Sequence, residues 1–296
     1  MSLNKDGNNL LYKVALITSP SDNPFNIGPK IFPVHIIVNL QKGSTIIMMY
    51  LLMIYFNNYS KGAYIYLSLH GSYGLIWLLK DITFPDKSMH VKTCLLPAGA
   101  LVTLLLLYWC MGFEMMLGWG IQEPSNGRIF VCFFLYSFGL IFMLCTDLQK
   151  YLILQYKKGL ITNYFLALNR NTNYLGEIMI YFSFALIVGR LECYLLLIFV
   201  WMTFFVGRIY LKEKSLQKKE GFDIYKMVGF AGKISIGAGI ISLIASIPIS
   251  LGFGSAGIVE GSIAAAIQSA IGNVSVGSVF SLFQSLGMTG FFSGIA

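Results

Sequence analysis

The stretch "IMIYFSFALIVGRLECYLLLIFVWMTFFVG", residues 178–207, decides the fold. As one helix it would rise about 45 Å, too long for a hydrocarbon core of about 30 Å without strong tilt. Arg190 and Glu192 interrupt it near its middle. The alternative is two tilted, half-length segments that form a hairpin.

Charge chooses between them. Upstream lie uncharged runs at 43–60, 62–79, 93–113 and 129–146, each about as long as a spanning helix needs. Let the chain start on side A and cross at each run. Side A then holds 1–42, 80–92 and 147–177. With a hairpin at 178–207, the chain returns to side A for 208–233. Of the 21 Lys and Arg, side B keeps only Lys61, Arg128 and Arg190. A single crossing would move the basic block from Arg208 to Lys233 to side B. Positive charge collects on the cytoplasmic or matrix side, so the hairpin is expected. Trp77, Trp109 and Trp119 fall toward run ends, where amphipathic rings favour the interface.

Composition sets the class. Hydrophobic residues make up 56% of the chain and charged ones 11%, against about 25% charged in a soluble domain. This predicts an all-α, polytopic membrane bundle. Cys94, Cys110, Cys132, Cys145 and Cys193 lie in or beside apolar runs without a CxxC, and read as thiols packed like small hydrophobes. His35, His70 and His90 form no HxxxH pair, so zinc chemistry and other metal binding have no support. Residues 1–42 form a polar arm with neither a signal peptide's apolar core nor an Arg-rich presequence. An arm of this kind needs something to hold it, and neighbouring subunits are the simplest candidate.

A domain boundary is expected near 227–233, dividing a membrane domain over 43–233 from a tail over 234–296. The tail holds a single charged residue, Glu260, and is rich in Gly, Ala, Ser and Ile. Gly257 and Gly261 form a GxxxG step, and Gly237 precedes a similar small-residue face. Small residues at helical spacing let membrane helices approach closely, so two or three packed helices are expected. A membrane carboxylate such as Glu260 is costly and should face a partner or water.

The side-A loops bring Asp147, Lys150, Lys157, Lys158, Arg170, Asn171, Asn173, Tyr174, Glu177 and Arg208 toward one region. Arg and Lys suit phosphate oxygens, and Asn and Tyr can orient an amide or a ribose hydroxyl. Glu177 can favour a helix N-terminus or hold a ligand amide. The plainer reading is positive-inside sorting that attracts anionic lipid heads. Both stand at this point.

Two resemblances extend this reading. "DLQKYLILQYKKGLIT" (147–162), "NRNTNYLGE" (169–177) and "IYFSFAL" (180–186) resemble the C-terminal half of the steroid 5-alpha-reductase superfamily, in its DUF1295-like branch. "LHGSYGLIWLLKDITFPDKS" (69–88), "KEKSL" (212–216) and "GFDIYK" (221–226) extend the likeness over about 30–228. It implies a fold shared with isoprenylcysteine methyltransferases, in which active members hold NADPH and reduce a lipid carbon–carbon double bond. By the same likeness Asn173 and Glu177 line the nicotinamide end, and Asp147 and Arg208 lie on the cofactor side; Arg170 and Tyr174, which stand within the motif, complete the candidate cofactor-binding set. Three departures matter. Thr172 stands where the motif has Pro. Asn163-Tyr164 replaces Asp-Gly after the Ile-Thr turn, so a tight turn has become bulky. The segment "RIYLKEKSLQKK" (208–219) lacks the His and the matching Tyr of steroid reductases, so it offers no proton donor.

The tail, in "GFGSAGIVEGSIAAAIQSAIGNVSVGSVFSLFQSLGMTG" (252–290), resembles the small interferon-alpha-inducible membrane proteins, with Gly261-Ser262, Gly277-Ser278 and Gln284-Ser285 matching their pattern. Such proteins are non-enzymatic and often mitochondrial or endoplasmic-reticulum residents. Together these features suggest an accessory subunit built on a degenerate reductase fold. It would sit in a larger mitochondrial inner-membrane assembly, basic side toward the matrix, with the endoplasmic reticulum as the alternative location. Its partners would be membrane lipids and other subunits, not nucleic acid, and it would need no cofactor. The alternative is an NADPH-dependent reductase of a sterol-like or unsaturated lipid.

Overall fold

At Gly189 the backbone turns left-handed, with φ +74°, and the apolar stretch 178–207 breaks there. Thr172–Val188 ends on this glycine and Leu191–Leu216 begins just after Arg190. Phe182 packs on Tyr194 and Tyr174 on Phe205, so the two segments run antiparallel. Arg190 locks the turn by donating to the Trp119 carbonyl (2.7 Å) and pairing with Glu114 and Glu192. The second arm of the hairpin is one helix with a π-turn at Trp201–Phe205.

The computed structural model describes residues 12, 16–17, 19, 23–227, 253–254, 256–275 and 278–288. Two compact units divide it, Met1–Gly232 and Lys233–Ala296. In the first, strand β1 (Phe32–Pro33) leads into α1 (Val34–Tyr55), then α2 (Lys61–Thr83), strand β2 (Lys92–Thr93), α3 (Leu95–Leu117) and α4 (Asn126–Tyr156). A short α5 (Phe165–Leu168), the hairpin helices α6 (Thr172–Val188) and α7 (Leu191–Leu216), and α8 (Phe222–Met227) complete it. Among the described residues, α1, α3, α4 and α7 are the four helices long and apolar enough to cross a membrane. Their outward faces carry Leu40, Leu95, Phe130 and Phe199, all exposed, as a lipid-facing surface requires. Helix α2 equals them in length, but Gly, Ser and His residues lower its hydropathy, and α6 is shorter.

Helix α1 starts at Val34, ahead of the uncharged run at 43–60. Its buried face is Val34, Val38, Lys42, Thr45, Met49 and Met53, so Lys42 belongs to a core stripe and not to a polar arm. The end of that arm is held by its own chain. Phe32–Pro33 pairs antiparallel with Lys92–Thr93, and Asn26 Oδ1 accepts from the Thr93 hydroxyl (2.7 Å) and the Cys94 amide (3.2 Å). Two further expectations change. Trp77 is buried and donates to Asn39 Oδ1 (3.1 Å), because α2 packs inside the bundle. Cys110 is exposed, while Cys94, Cys132 and Cys193 are buried.

Helices α4 and α6 run closest together. A Cβ on Gly139 would lie 2.7 Å from the Gly176 carbonyl oxygen, and one on Gly176 would lie 2.5 Å from the Gly139 oxygen. Nearby, Phe184 packs against Tyr66, His70, Tyr73, Tyr136 and Tyr181. His70 is a satisfied core histidine, bonded through Nδ1 to Tyr66 Oη (2.9 Å).

In the second unit, Phe253–Gly254 (β3) pairs antiparallel with Gly257–Ile258 (β4), followed by α9 (Ile263–Ile271) and α10 (Val279–Met288). Gly257 (φ +108°) and Gly261 (φ +73°) adopt left-handed turn conformations, so the GxxxG step lies outside any helix. Ser262 caps α9 by accepting from the Ala265 amide (3.2 Å), and the Phe253 ring packs on Phe280 and Phe283. With 9 and 10 residues, α9 and α10 are each too short to span a hydrocarbon core. Glu260 is exposed, and Gly237 lies outside the described residues.

The α4–α6 contact predicts that Gly176→Val lowers thermal stability of the purified chain by an amount equivalent to about 3 kcal/mol. Gly99→Ala, where nothing lies within 4 Å, should leave the melting temperature unchanged or raise it.

Candidate functional site

Hydrogen bonds and ion pairs gather the end of α2, the 84–93 loop, the later half of α4, the start of α6 and the later half of α7 at one end of the first unit. Lys80 Nζ lies 2.8 Å from Asp147 Oδ2, and Lys150 Nζ lies 3.3 Å from Asp147 Oδ1. Arg170 Nε pairs with Glu213 Oε1 at 2.9 Å. Lys212 donates to the Arg170 carbonyl (2.8 Å) and to Asn173 Oδ1 (3.4 Å). Tyr225 Oη donates to the Leu166 carbonyl (2.6 Å), and burial, opposed by Arg170, pushes that phenol up to about 12.

Two adjoining cavities open there. One, of about 160 Å³, is lined by Asp147, Asn173, Tyr174, Glu177 and Arg208, with apolar walls from Val34, Val38, Leu104 and Phe204. The other, of about 450 Å³, is lined by Lys150, Arg170, Asn173, Tyr174, Arg208, Lys212 and Lys219. Asn173, Tyr174 and Arg208 belong to both walls. The structure thus brings the six sequence-chosen residues to one double cavity, apolar on one side and basic on the other.

Those six divide in two. Asp147, Arg170 and Asn173 are engaged internally, as above. The Glu177 carboxylate and the Tyr174 hydroxyl have no hydrogen-bond or ion-pair partner among the described residues. Arg208 has no carboxylate partner among them; it lies over the Phe204 ring and 3.9 Å from Met89 Sδ. Carboxylates and guanidinium groups enclosed within a helical bundle are costly unless something pairs them.

Sequence reasoning missed Lys42, Lys80, Asp86, Tyr108 and Tyr181, which line the first cavity, and Glu213, which anchors Arg170. For Lys42 the signal was available: it continues the four-residue spacing of Val34 and Val38 into Thr45 and Met49. His35 and His90, distant in sequence, stack with ring centroids 4.0 Å apart, and His90 Nε2 lies 3.0 Å from Asp81 Oδ1. That pair fastens the 84–93 loop to α1 and α2.

The motif departures have structural answers. Thr172, where Pro would suit the first helical position, donates from its hydroxyl to the Phe165 (2.8 Å) and Asn169 (2.6 Å) carbonyls. Tyr164 adopts φ +49° and ψ −128°, a conformation that suits glycine and strains any residue with a Cβ. Gln149 braces this turn, accepting from the Phe165 amide (3.1 Å) and donating to the Asn163 carbonyl (2.8 Å).

Residues 232–296 match the family model of the interferon-induced 6-16 family. The tail's resemblance is therefore borne out, over a region that coincides with the second unit. No curated protein and no solved structure matches the chain.

Two measurements follow. Tyr164 is largely exposed, so Tyr164→Gly should raise stability by about 1 kcal/mol, the relieved strain exceeding the added chain entropy. Burial pushes the Asp86 carboxyl up, but the Lys150 charge and the Ser88 amide (2.9 Å) outweigh it and hold it below the usual range. Its stabilising contribution is then full above about pH 4 and is lost as pH falls through the depressed value. Asp86→Asn should flatten that acid limb in thermal melts taken between about pH 2 and 5.

Proposed function

We propose that the first unit is a membrane-embedded reductase that binds a phosphate-bearing nicotinamide cofactor, NADPH, beside a lipid substrate. The observation that carries this reading is that Glu177, the Tyr174 hydroxyl and Arg208 share the wall of one cavity, the first two without a hydrogen-bond or ion-pair partner and the third without a carboxylate partner among the described residues. The residues suit the cofactor. Arg208, Lys150, Lys212 and Lys219 supply cations for phosphate oxygens. Glu177 can accept from a carboxamide N–H, and Asn173 stands beside it on the same wall. Val34, Val38, Leu104 and Phe204 offer the apolar surface a lipid chain needs. Bound there, reduced nicotinamide would supply hydride.

A second reading is an accessory membrane subunit, and one observation favours it. Asp147, Arg170 and Asn173 already have partners within the chain, as in a cofactor site turned into scaffold. The interferon-induced 6-16 type tail would then be a packing module. The assembly would be mitochondrial, with the basic end toward the matrix, or of the endoplasmic reticulum.

NADPH titration of the full chain in lipid nanodiscs separates the two. The reductase reading expects saturable binding. Glu177→Ala and Arg208→Ala should each weaken it about tenfold to a hundredfold, the cost of a charge-assisted hydrogen bond. Lys61→Ala, at the opposite end, should change nothing. Absence of saturable binding by the wild-type chain favours the accessory subunit.

A further inference from the structure

The Lys80–Asp147–Lys150 cluster has a second face that neither reading uses. There a third cavity, of about 130 Å³, lies between the end of α2, residues 84–87 and the later half of α4. It shares Lys80 and Asp147 with the first cavity and Lys150 with the second, so the ion cluster is the partition between them. Clefts for drug-sized ligands run to about 300–1,000 Å³, so this one suits a single small group. Helices α2 and α4 run beside it in the same direction. Ser72 Oγ and Tyr136 Oη bridge them at one level (2.7 Å), and the Phe84 and Tyr151 rings at another (centroids 6.5 Å apart).

The charges around it do not balance. Lys80, Lys87 and Lys150 face two carboxylates, Asp86 and Asp147, which leaves one net positive charge. Lys80 is buried, and among the described residues its Nζ pairs with no carboxylate but Asp147; the same holds for Lys150. An ammonium has three N–H donors, so each keeps donors that Asp147 does not fill. Lys87 is exposed, and its ammonium has no partner among the described residues. The rest of the lining includes Phe84, Tyr151 and Leu154. Next to these residues in the chain, Leu79 and Ile82 of α2 and Leu148 and Leu152 of α4 are exposed. A cationic notch framed by outward-facing apolar side chains fits a ligand with an anionic head and an apolar body.

We propose that this notch binds the phosphodiester of an anionic membrane lipid, with Lys87 as the residue that meets the phosphate. The inference rests on neither reading of the candidate site. Lys80 and Lys150, held by Asp147, set the positive potential of the wall. Lys87 supplies the unpaired ammonium that donates to the phosphate oxygens. The acyl chains lie on Leu79, Ile82, Leu148 and Leu152, and Tyr151 sits at headgroup level, where amphipathic rings are favoured. One net positive charge matches a lipid with one net negative charge, such as phosphatidylglycerol. Phosphatidylcholine carries its own cation and gains less. Inorganic phosphate offers similar oxygens but has nothing to place on the exposed leucines. Recognition of this kind is local, unlike the diffuse attraction of a basic membrane face for anionic lipids.

Native mass spectrometry of the full chain tests it, with the protein released from detergent holding equimolar dioleoyl phosphatidylglycerol and dioleoyl phosphatidylcholine. Phosphatidylglycerol should stay bound in preference to phosphatidylcholine. Lys87→Ala should weaken that retention about tenfold, the cost of a charge-assisted hydrogen bond, and Lys87→Arg should keep it. Lys158→Ala removes another exposed lysine, just past α4 and outside the cavity, and should leave retention unchanged. Both lysines are on the surface, so the variants should melt with the wild type in lipid-free detergent. Excess inorganic phosphate should not displace the lipid. Equal retention of the two lipids, or equal losses in the two alanine variants, would overturn the site in favour of diffuse attraction. Displacement by inorganic phosphate would overturn the lipid assignment in favour of a free anion.

Discussion

Gly139 and Gly176 bring the backbones of α4 and α6 into direct contact, and the site depends on that approach. A Cβ on either glycine would lie within 3 Å of the other's carbonyl oxygen, so neither tolerates a side chain. The contact sets the first two turns of α6, which carry Asn173 and Glu177, against the part of α4 that carries Asp147. Since α6 is the first arm of a hairpin, the same contact places Arg208 and Lys212 of α7 beside those turns. Gly189 and Arg190, at the far end, only reverse the chain. A bulky residue at 176 would therefore separate the carboxylates from the cations as well as loosen the bundle.

With the backbones fixed, the charges sort by partner. Lys80, Asp147 and Lys150 form one buried cluster, and Arg170 with Glu213 another. Pairs like these add little net stability over apolar packing, but losing one member leaves an uncompensated charge. They position the cavity walls. Glu177, Arg208 and Lys42 differ, because each lines the cavity without a charged partner within ion-pair distance among the described residues. A bundle that retains such groups in its interior without a charged partner carries an electrostatic cost that a bound ligand can offset. The internally paired residues act as scaffold and the unpaired ones as the surface that meets the ligand.

Much of this was legible in the sequence. The break at Gly189–Arg190 follows from the length of the apolar stretch and the distribution of Lys and Arg. The convergence of Asn173, Glu177 and Arg208 follows from the motif and the hairpin together. What escaped is tertiary. Lys42 reads as part of a polar arm because the nearest uncharged run begins after it, and only the spacing from Val34 to Met49 reveals its buried face. Tyr181 lies in an apolar run where a tyrosine carries no signal until Lys42 is placed beside it. Gly257 and Gly261 satisfy a helix-packing pattern, yet their left-handed backbone makes a turn. Spacing alone does not distinguish those two uses of glycine.

The central claim is that the cavity beside α6 is a ligand site rather than packed scaffold. A cryo-electron-microscopy map of the full chain in nanodiscs with NADPH tests it most directly. The account predicts elongated density that touches Tyr174, Glu177 and Arg208 and reaches the basic wall of Lys150 and Lys212. An unchanged cavity, with Glu177 and Arg208 paired to each other or covered by acyl chains alone, would contradict it.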